Sequence, residues 1–152
     1  MTSAPTILLV DEEPILRLAT ALLLTNRGAR VSPAATLAEA IVLASAQAFD
    51  VAVLDVAPEG PSAAVMVGLL RARGLLPQRI VVCLPGGPRE DTDFMVVLEK
   101  PYPFEHLLEA VFGPPRARRA AARSGVFARV RAREGAVVRP PRRAMPARRD
   151  RG

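Results

Sequence analysis

The chain of 152 residues has no tryptophan, one tyrosine and one cysteine, Cys83. Aromatics make up only 4% of it while half of the residues are hydrophobic, so any core must be built from Ala, Val, Leu and Ile. That much apolar material excludes a chain disordered throughout. A lone cysteine excludes an internal disulfide. No apolar run approaches the roughly 18 to 20 residues of a membrane helix, which argues against a membrane span. Residues 1–10 lack the basic start and long apolar core of a signal peptide. A soluble cytoplasmic protein is expected. Lysine is as scarce as cysteine: of 21 Lys plus Arg, Lys100 alone is lysine.

The formal charge of +6 invites a nucleic-acid reading until its distribution is followed along the chain. Residues 1–112 hold 8 basic against 13 acidic side chains, a charge of −5. Residues 113–152 hold 13 Arg against Glu134 and Asp150, a charge of +11. An acidic domain over 1–112 therefore carries a basic Arg, Pro and Ala-rich tail over 113–152. The tail has too few large apolar residues to bury and repels itself, so disorder is expected there.

Within the first segment, apolar runs alternate with amphipathic ones. Ile7–Val10 reads as a buried strand that stops at carboxylates and Pro14, which suits a first helical turn, and Gly28 stops the helix. A short strand centred on Val31 is expected to end before Pro33. Thr36 and Glu39 form a capping box for a second helix that ends near Gln47. The run FDVAVLDV is a strand ending at Asp55, and Ser62 caps a third helix to Arg73, closed by Gly74. Ile80–Leu84 and Phe94–Leu98 are further strands. Between them Pro85–Asp93 leaves room for at most one helical turn. A last helix covers Phe104–Phe112. Continuous apolar strands alternating with helices predict an α/β fold, doubly wound about a five-stranded parallel sheet.

In such a sheet the ligand crevice lies at the carboxyl ends of the strands. Asp11 and Glu12 end the first strand, Asp55 ends the third and Lys100 ends the fifth. Carboxylates gathered there would repel one another unless a cation compensates them, and hard oxygen ligands suit Mg²⁺. A carboxylate can also serve as a nucleophile toward phosphorus, with a lysine paired to the phosphoryl oxygens. Taken singly, each residue has a plainer reading: Asp55 as a turn former, Lys100 as a solvated side chain, Cys83 as a small core residue, Tyr102 as packing at the sheet edge. Their coincidence at matching strand ends favours a site.

In order and spacing, LLVDEEP, VAVLDV and LEKPY resemble a bacterial two-component response-regulator receiver domain, over about residues 5–112. The resemblance implies a flavodoxin-like sheet of order 2-1-3-4-5 and phosphorylation by a partner histidine kinase or phosphotransfer protein. It implies Asp55 as the phosphoacceptor and Lys100 as the lysine that assists it. Asp11, Glu12, Asp55 and the Ala57 carbonyl match the residues that hold Mg²⁺. It implies a phosphoprotein that assists its own phosphorylation and dephosphorylation and is not a turnover enzyme, and that signals through a downstream protein partner. PAATLAEA, VAPEGPS and the short stretch before VVLEKPY resemble a proteobacterial subgroup of single-domain receivers with a reduced fourth helix.

Three positions depart from the family pattern. Glu12 stands where Asp is usual and adds a methylene. Aligning the fourth strand puts Pro85, which has neither hydroxyl nor N–H, where Thr or Ser is expected; a slip of one or two residues would offer Leu84 or Cys83. The switch aromatic is replaced by Val97. A pseudo-receiver that binds partners without switching is therefore an alternative, as is nucleic-acid binding through the tail. Two further readings concern the tail: an extension without function, or a basic arm folded over the carboxylates.

Overall fold

The structure, a computed structural model, describes residues 3–86 and 95–114. Nine elements follow one another in these stretches: β1 (Thr6–Val10), α1 (Pro14–Asn26), β2 (Arg30–Ala34), α2 (Leu37–Ala46), β3 (Val51–Asp55), α3 (Ala63–Ala72), β4 (Arg79–Pro85), β5 (Met95–Lys100) and α4 (Phe104–Phe112). The strands form one parallel sheet of order β2-β1-β3-β4-β5. This is the flavodoxin-like topology that the alternation of apolar runs predicts.

Strand periodicity divides the core into two layers. Leu8, Val10, Ala52, Leu54, Ile80 and Val82 point to the side that carries α2 and α3. Ile7, Leu9, Val51, Val53, Val81 and Cys83 point to the side of α1 and α4. Because both faces are covered, the central strands are apolar at successive positions, as a sheet buried on both sides requires.

Local chemistry fixes the helix ends. The Glu13 carboxylate accepts from Ile15 N–H at 3.2 Å, and Pro14 begins α1. In α2 the Thr36 hydroxyl accepts from Glu39 N–H at 3.2 Å while the Glu39 carboxylate accepts from Ala35 N–H at 2.7 Å. The capping box thus closes one residue further out than its usual reciprocal form. Ser62 caps α3 by accepting from Val65 N–H at 3.3 Å. Gly28 and Gly74 have φ of +90° and +68°, the left-handed conformation that ends α1 and α3 and lets the next N–H reach back to Leu24 and Leu70. At its far end α4 is fastened to the sheet by Arg79, whose guanidinium donates to the carbonyls of Val111 at 2.6 Å and Ala110 at 3.3 Å.

One expectation is corrected. The second strand does not stop before Pro33 but runs through it to Ala34, with Pro33 in register with Leu9. The reason is position: β2 lies at the sheet edge, where a missing N–H can face away from the ladder. The short stretch between β4 and β5 and the basic tail fall almost wholly outside the described residues. No helix among the described residues is long and apolar enough to cross a membrane.

Fully buried Leu54 and Ile80 carry the core, whereas Leu18 on α1 is 62% exposed. Leu54→Ala or Ile80→Ala is expected to lower unfolding stability by about 2–5 kcal/mol in urea titrations, and Leu18→Ala by less than about 0.5 kcal/mol.

Candidate functional site

The order in which strands are added to the sheet reverses between β1 and β3, and the carboxyl ends of these parallel strands border the crevice expected of such a sheet. Asp11 directly follows β1, and Asp55 is the last residue of β3. Lys100, the last residue of β5, reaches across the end of β4 and forms an ion pair with Asp55 Oδ1. Its ammonium also lies 3.5 Å from the Val56 carbonyl. Apart from that ion pair, Asp55 Oδ1, which is buried, meets no hydrogen-bond donor among the described residues.

Burial pushes the Asp55 carboxyl above the ordinary aspartate range, and the negative charges of Asp11 and Glu12 push it further. Lys100 opposes both, as hydrogen-bond partner and as charge. The result is a carboxylate poorly hydrated and thereby more basic than a surface aspartate.

Asp11 is buried at 5% exposure, and its Oδ1 accepts from Glu13 N–H at 2.9 Å. Glu12 is exposed. The Ala57 carbonyl accepts from Gly60 N–H at 3.2 Å within the β3–α3 turn, which occupies one of its two lone pairs. Among the described residues no three of His, Cys, Asp and Glu stand close enough to cage a metal ion. The donor chemistry nevertheless fits Mg²⁺, which keeps several waters and takes one or two carboxylates rather than a complete protein cage. Asp11 and Asp55 each present a second carboxylate oxygen beyond the one already engaged.

Pro85 lies in register with Lys100, while Cys83 is the residue in register with Asp55. Of the residues offered by the alternative alignments of β4, it is therefore the thiol that sits beside the carboxylate. Its Sγ accepts from the Tyr102 hydroxyl at 3.1 Å. Tyr102 does not merely pack at the sheet edge, as its sequence position suggests: it lies half-buried in the layer shared by α1 and α4. Burial pushes the Cys83 thiol up to about 12, which the Tyr102 hydrogen bond only partly offsets. Burial raises the Tyr102 hydroxyl as well. Val97 lies in register with Val82 and supplies no aromatic ring.

Sequence reasoning missed Arg17. From α1 its guanidinium donates to the Asp11 carbonyl at 2.7 Å and the Glu12 carbonyl at 3.3 Å, and so fixes the acidic turn between β1 and α1. A signal was available: a cation near a helix N-terminus opposes the helix dipole and calls for a nearby acceptor.

Two outcomes follow. Because the folded-state pKa of Asp55 is raised, the carboxyl destabilises the fold once ionised; its unfavourable contribution is absent at low pH and grows as pH rises through that value. In chelator, Asp55→Asn, neutral throughout, is expected to melt above the wild type at pH 7, by a margin that shrinks on acidification. Cys83 is expected to be unreactive toward a disulfide reagent at pH 8 in the folded protein and fully reactive in denaturant.

No family model matches the chain, and no curated protein matches it. Solved structures do. A response regulator receiver protein from Sinorhizobium medicae is 30% identical, with a TM-score of 0.60 over 71% of this chain and 91% of that one. The receiver domain of the hybrid histidine kinase CckA is 29% identical, with a TM-score of 0.56 over 68% of this chain and 93% of the domain. The chemotaxis response regulator CheY4 of Vibrio cholerae, 24% identical, shares the fold with a TM-score of 0.61 over 70% of this chain and 94% of its own. With the sheet order and the strand-end residues already in place, this similarity settles the family: the chain belongs to the response-regulator receivers.

Proposed function

We propose that this receiver accepts a phosphoryl group on Asp55 from the phosphohistidine of a histidine kinase or phosphotransfer protein, with Mg²⁺, and signals in the cytoplasm through protein contacts. The observation that carries the reading is the Lys100–Asp55 ion pair at the carboxyl ends of β5 and β3, on a carboxyl that also feels Asp11 and Glu12. An Asp55 oxygen attacks phosphorus, the bond from phosphorus to the imidazole nitrogen breaks, and the imidazole keeps the electron pair. The product is an aspartyl phosphate.

Poor hydration leaves the Asp55 carboxylate more nucleophilic than an exposed one. The Lys100 ammonium, already beside Oδ1, is placed to pair with a phosphoryl oxygen as negative charge arrives. Asp11 and Asp55 would hold Mg²⁺, with Glu12 reaching in from its exposed position and the Ala57 carbonyl using its second lone pair. When bound, the ion would offset charge on the transferring phosphoryl group. Arg17 keeps the acidic turn in place for this task through its hydrogen bonds to the Asp11 and Glu12 carbonyls.

The register of β4 supports a change in readout. Its last residues, Cys83, Leu84 and Pro85, carry no hydroxyl, so a contact from this strand end to a phosphoryl group of the kind that Ser or Thr makes has no donor beyond a weak thiol. Phosphorylation and a conventional relay are thus separable in this chain.

With Mg²⁺ and acetyl phosphate, the intact protein is expected to gain one hydroxylamine-labile phosphoryl group by mass spectrometry. Chelator should abolish the gain, and Asp55→Asn should show none. A wild type left unlabelled beside a labelled control receiver would overturn the proposal and favour a pseudo-receiver, whose partner binding Asp55→Asn leaves unchanged.

A further inference from the structure

Apolar surface is distributed unevenly among the helices. Of the nine large hydrophobic residues exposed among the described ones, five lie on α1: Ile15 at 75%, Leu16 at 55%, Leu18 at 62%, Leu22 at 55% and Leu23 at 44%. The inner side of this helix is accounted for by Leu24 in the core and Ala21 against it. At 100° per residue the five outer side chains span one continuous face, with the exposed Ala19 near its middle. The one charged residue within the helix, Arg17, directs its guanidinium to the carbonyls of the acidic turn. The outer face is thus a charge-free strip with a small residue at its centre.

The sequence of the strip is nearly a palindrome about Ala19. Four positions before it stands Ile15 and four after it Leu23; three before stands Leu16 and three after it Leu22. An antiparallel pair of identical helices crossing at Ala19 on a two-fold axis would bring each of these residues against its counterpart, and the small side chain at the axis would allow close approach. The same operation carries the acidic end of α1 onto the other end of its mate. Exposed Glu12 would lie opposite the second copy's Asn26 and beside its exposed Arg27. A parallel pair would instead set Glu12 against Glu12 and Arg27 against Arg27.

We infer that α1 is a homodimer interface, in which a second copy of this chain packs antiparallel along Ile15, Leu16, Ala19, Leu22 and Leu23 with Glu12 at the second copy's Arg27 end. Soluble monomers seldom keep a contiguous apolar patch above about 300–600 Å², and two patches from the upper part of that range, facing each other, would bury the roughly 1,000 Å² in total that marks a specific interface. The apolar strip on α1 is independent of the chemistry at Asp55; Glu12, which would also reach toward Mg²⁺, adds only the polar contact at the rim.

Sedimentation velocity of the full chain, from low to several hundred micromolar, is expected to show a dimer that dissociates on dilution. Ala19→Arg, which sets two like charges on the axis, should give a monomer with unchanged circular dichroism and, at dilutions where the wild type is also monomeric, an unchanged melting temperature. Arg27→Glu should weaken the dimer several-fold. With Cys83 buried, an introduced surface thiol reports proximity: Ala19→Cys should cross-link two chains under mild oxidation, and Asn26→Cys should not. A wild type monomeric at every concentration, as expected if this face serves the basic tail or a different protein, overturns the inference. So does a dimer that survives Ala19→Arg. Cross-linking through Asn26→Cys as fast as through Ala19→Cys overturns the antiparallel arrangement.

Discussion

The site depends on one ion pair made across an intervening strand. Asp55 ends β3, Lys100 ends β5, and β4 lies between them. The contact requires parallel strands in this order, cut to lengths that bring both termini to the same side of the sheet. It also requires a side chain long enough to bridge the width of β4 and compact enough to seat beside a buried oxygen. The chain uses arginine for twenty of its twenty-one strong cations, yet this place is held by lysine. An ammonium on a four-carbon stem acts as a point charge, where a planar guanidinium would need a wider pocket and further acceptors.

That pair also sets the energetic character of the site. The fold withdraws a carboxylate from water close to two others, and the ammonium returns only part of what hydration supplied. Stability is given up at this one point. The cost is borne by a conventional interior: two aliphatic layers on either side of the sheet, complementary hydrogen bonds at the starts of α1, α2 and α3, and left-handed glycines after α1 and α3.

Much of this was legible in the amino-acid sequence because the signals are local and redundant. Buried parallel strands read as unbroken apolar runs, Thr36, Ser62, Gly28 and Gly74 mark helix ends by their own chemistry, and Asp11, Asp55 and Lys100 stand where those runs stop. What escaped the sequence is what depends on lateral neighbours. Pro33 reads as a strand breaker unless its strand is known to lie at the edge. The place of Cys83 beside Asp55 is set by the register of β4 on β3, which no composition encodes. The hydrogen bond from Tyr102 follows from the return of the chain after β5, and the task of Arg17 from the way α1 folds back over the turn that precedes it. Exposure of the outer face of α1 is equally invisible, since a run of leucines reads as core from either side.

The fastening of α4 by Arg79 has a mechanical consequence. The carbonyls of Ala110 and Val111 are held at the amino end of β4, remote from the carboxylates, while the other end of the helix is joined to Lys100 by only Pro101, Tyr102 and Pro103. Two prolines make that joint stiff. α4 is therefore tied to the sheet at both ends, its last carbonyls by Arg79 at the start of β4 and its first turn by the short link to the end of β5, so the helix that covers Cys83 and Tyr102 is anchored through the same strand that delivers the lysine.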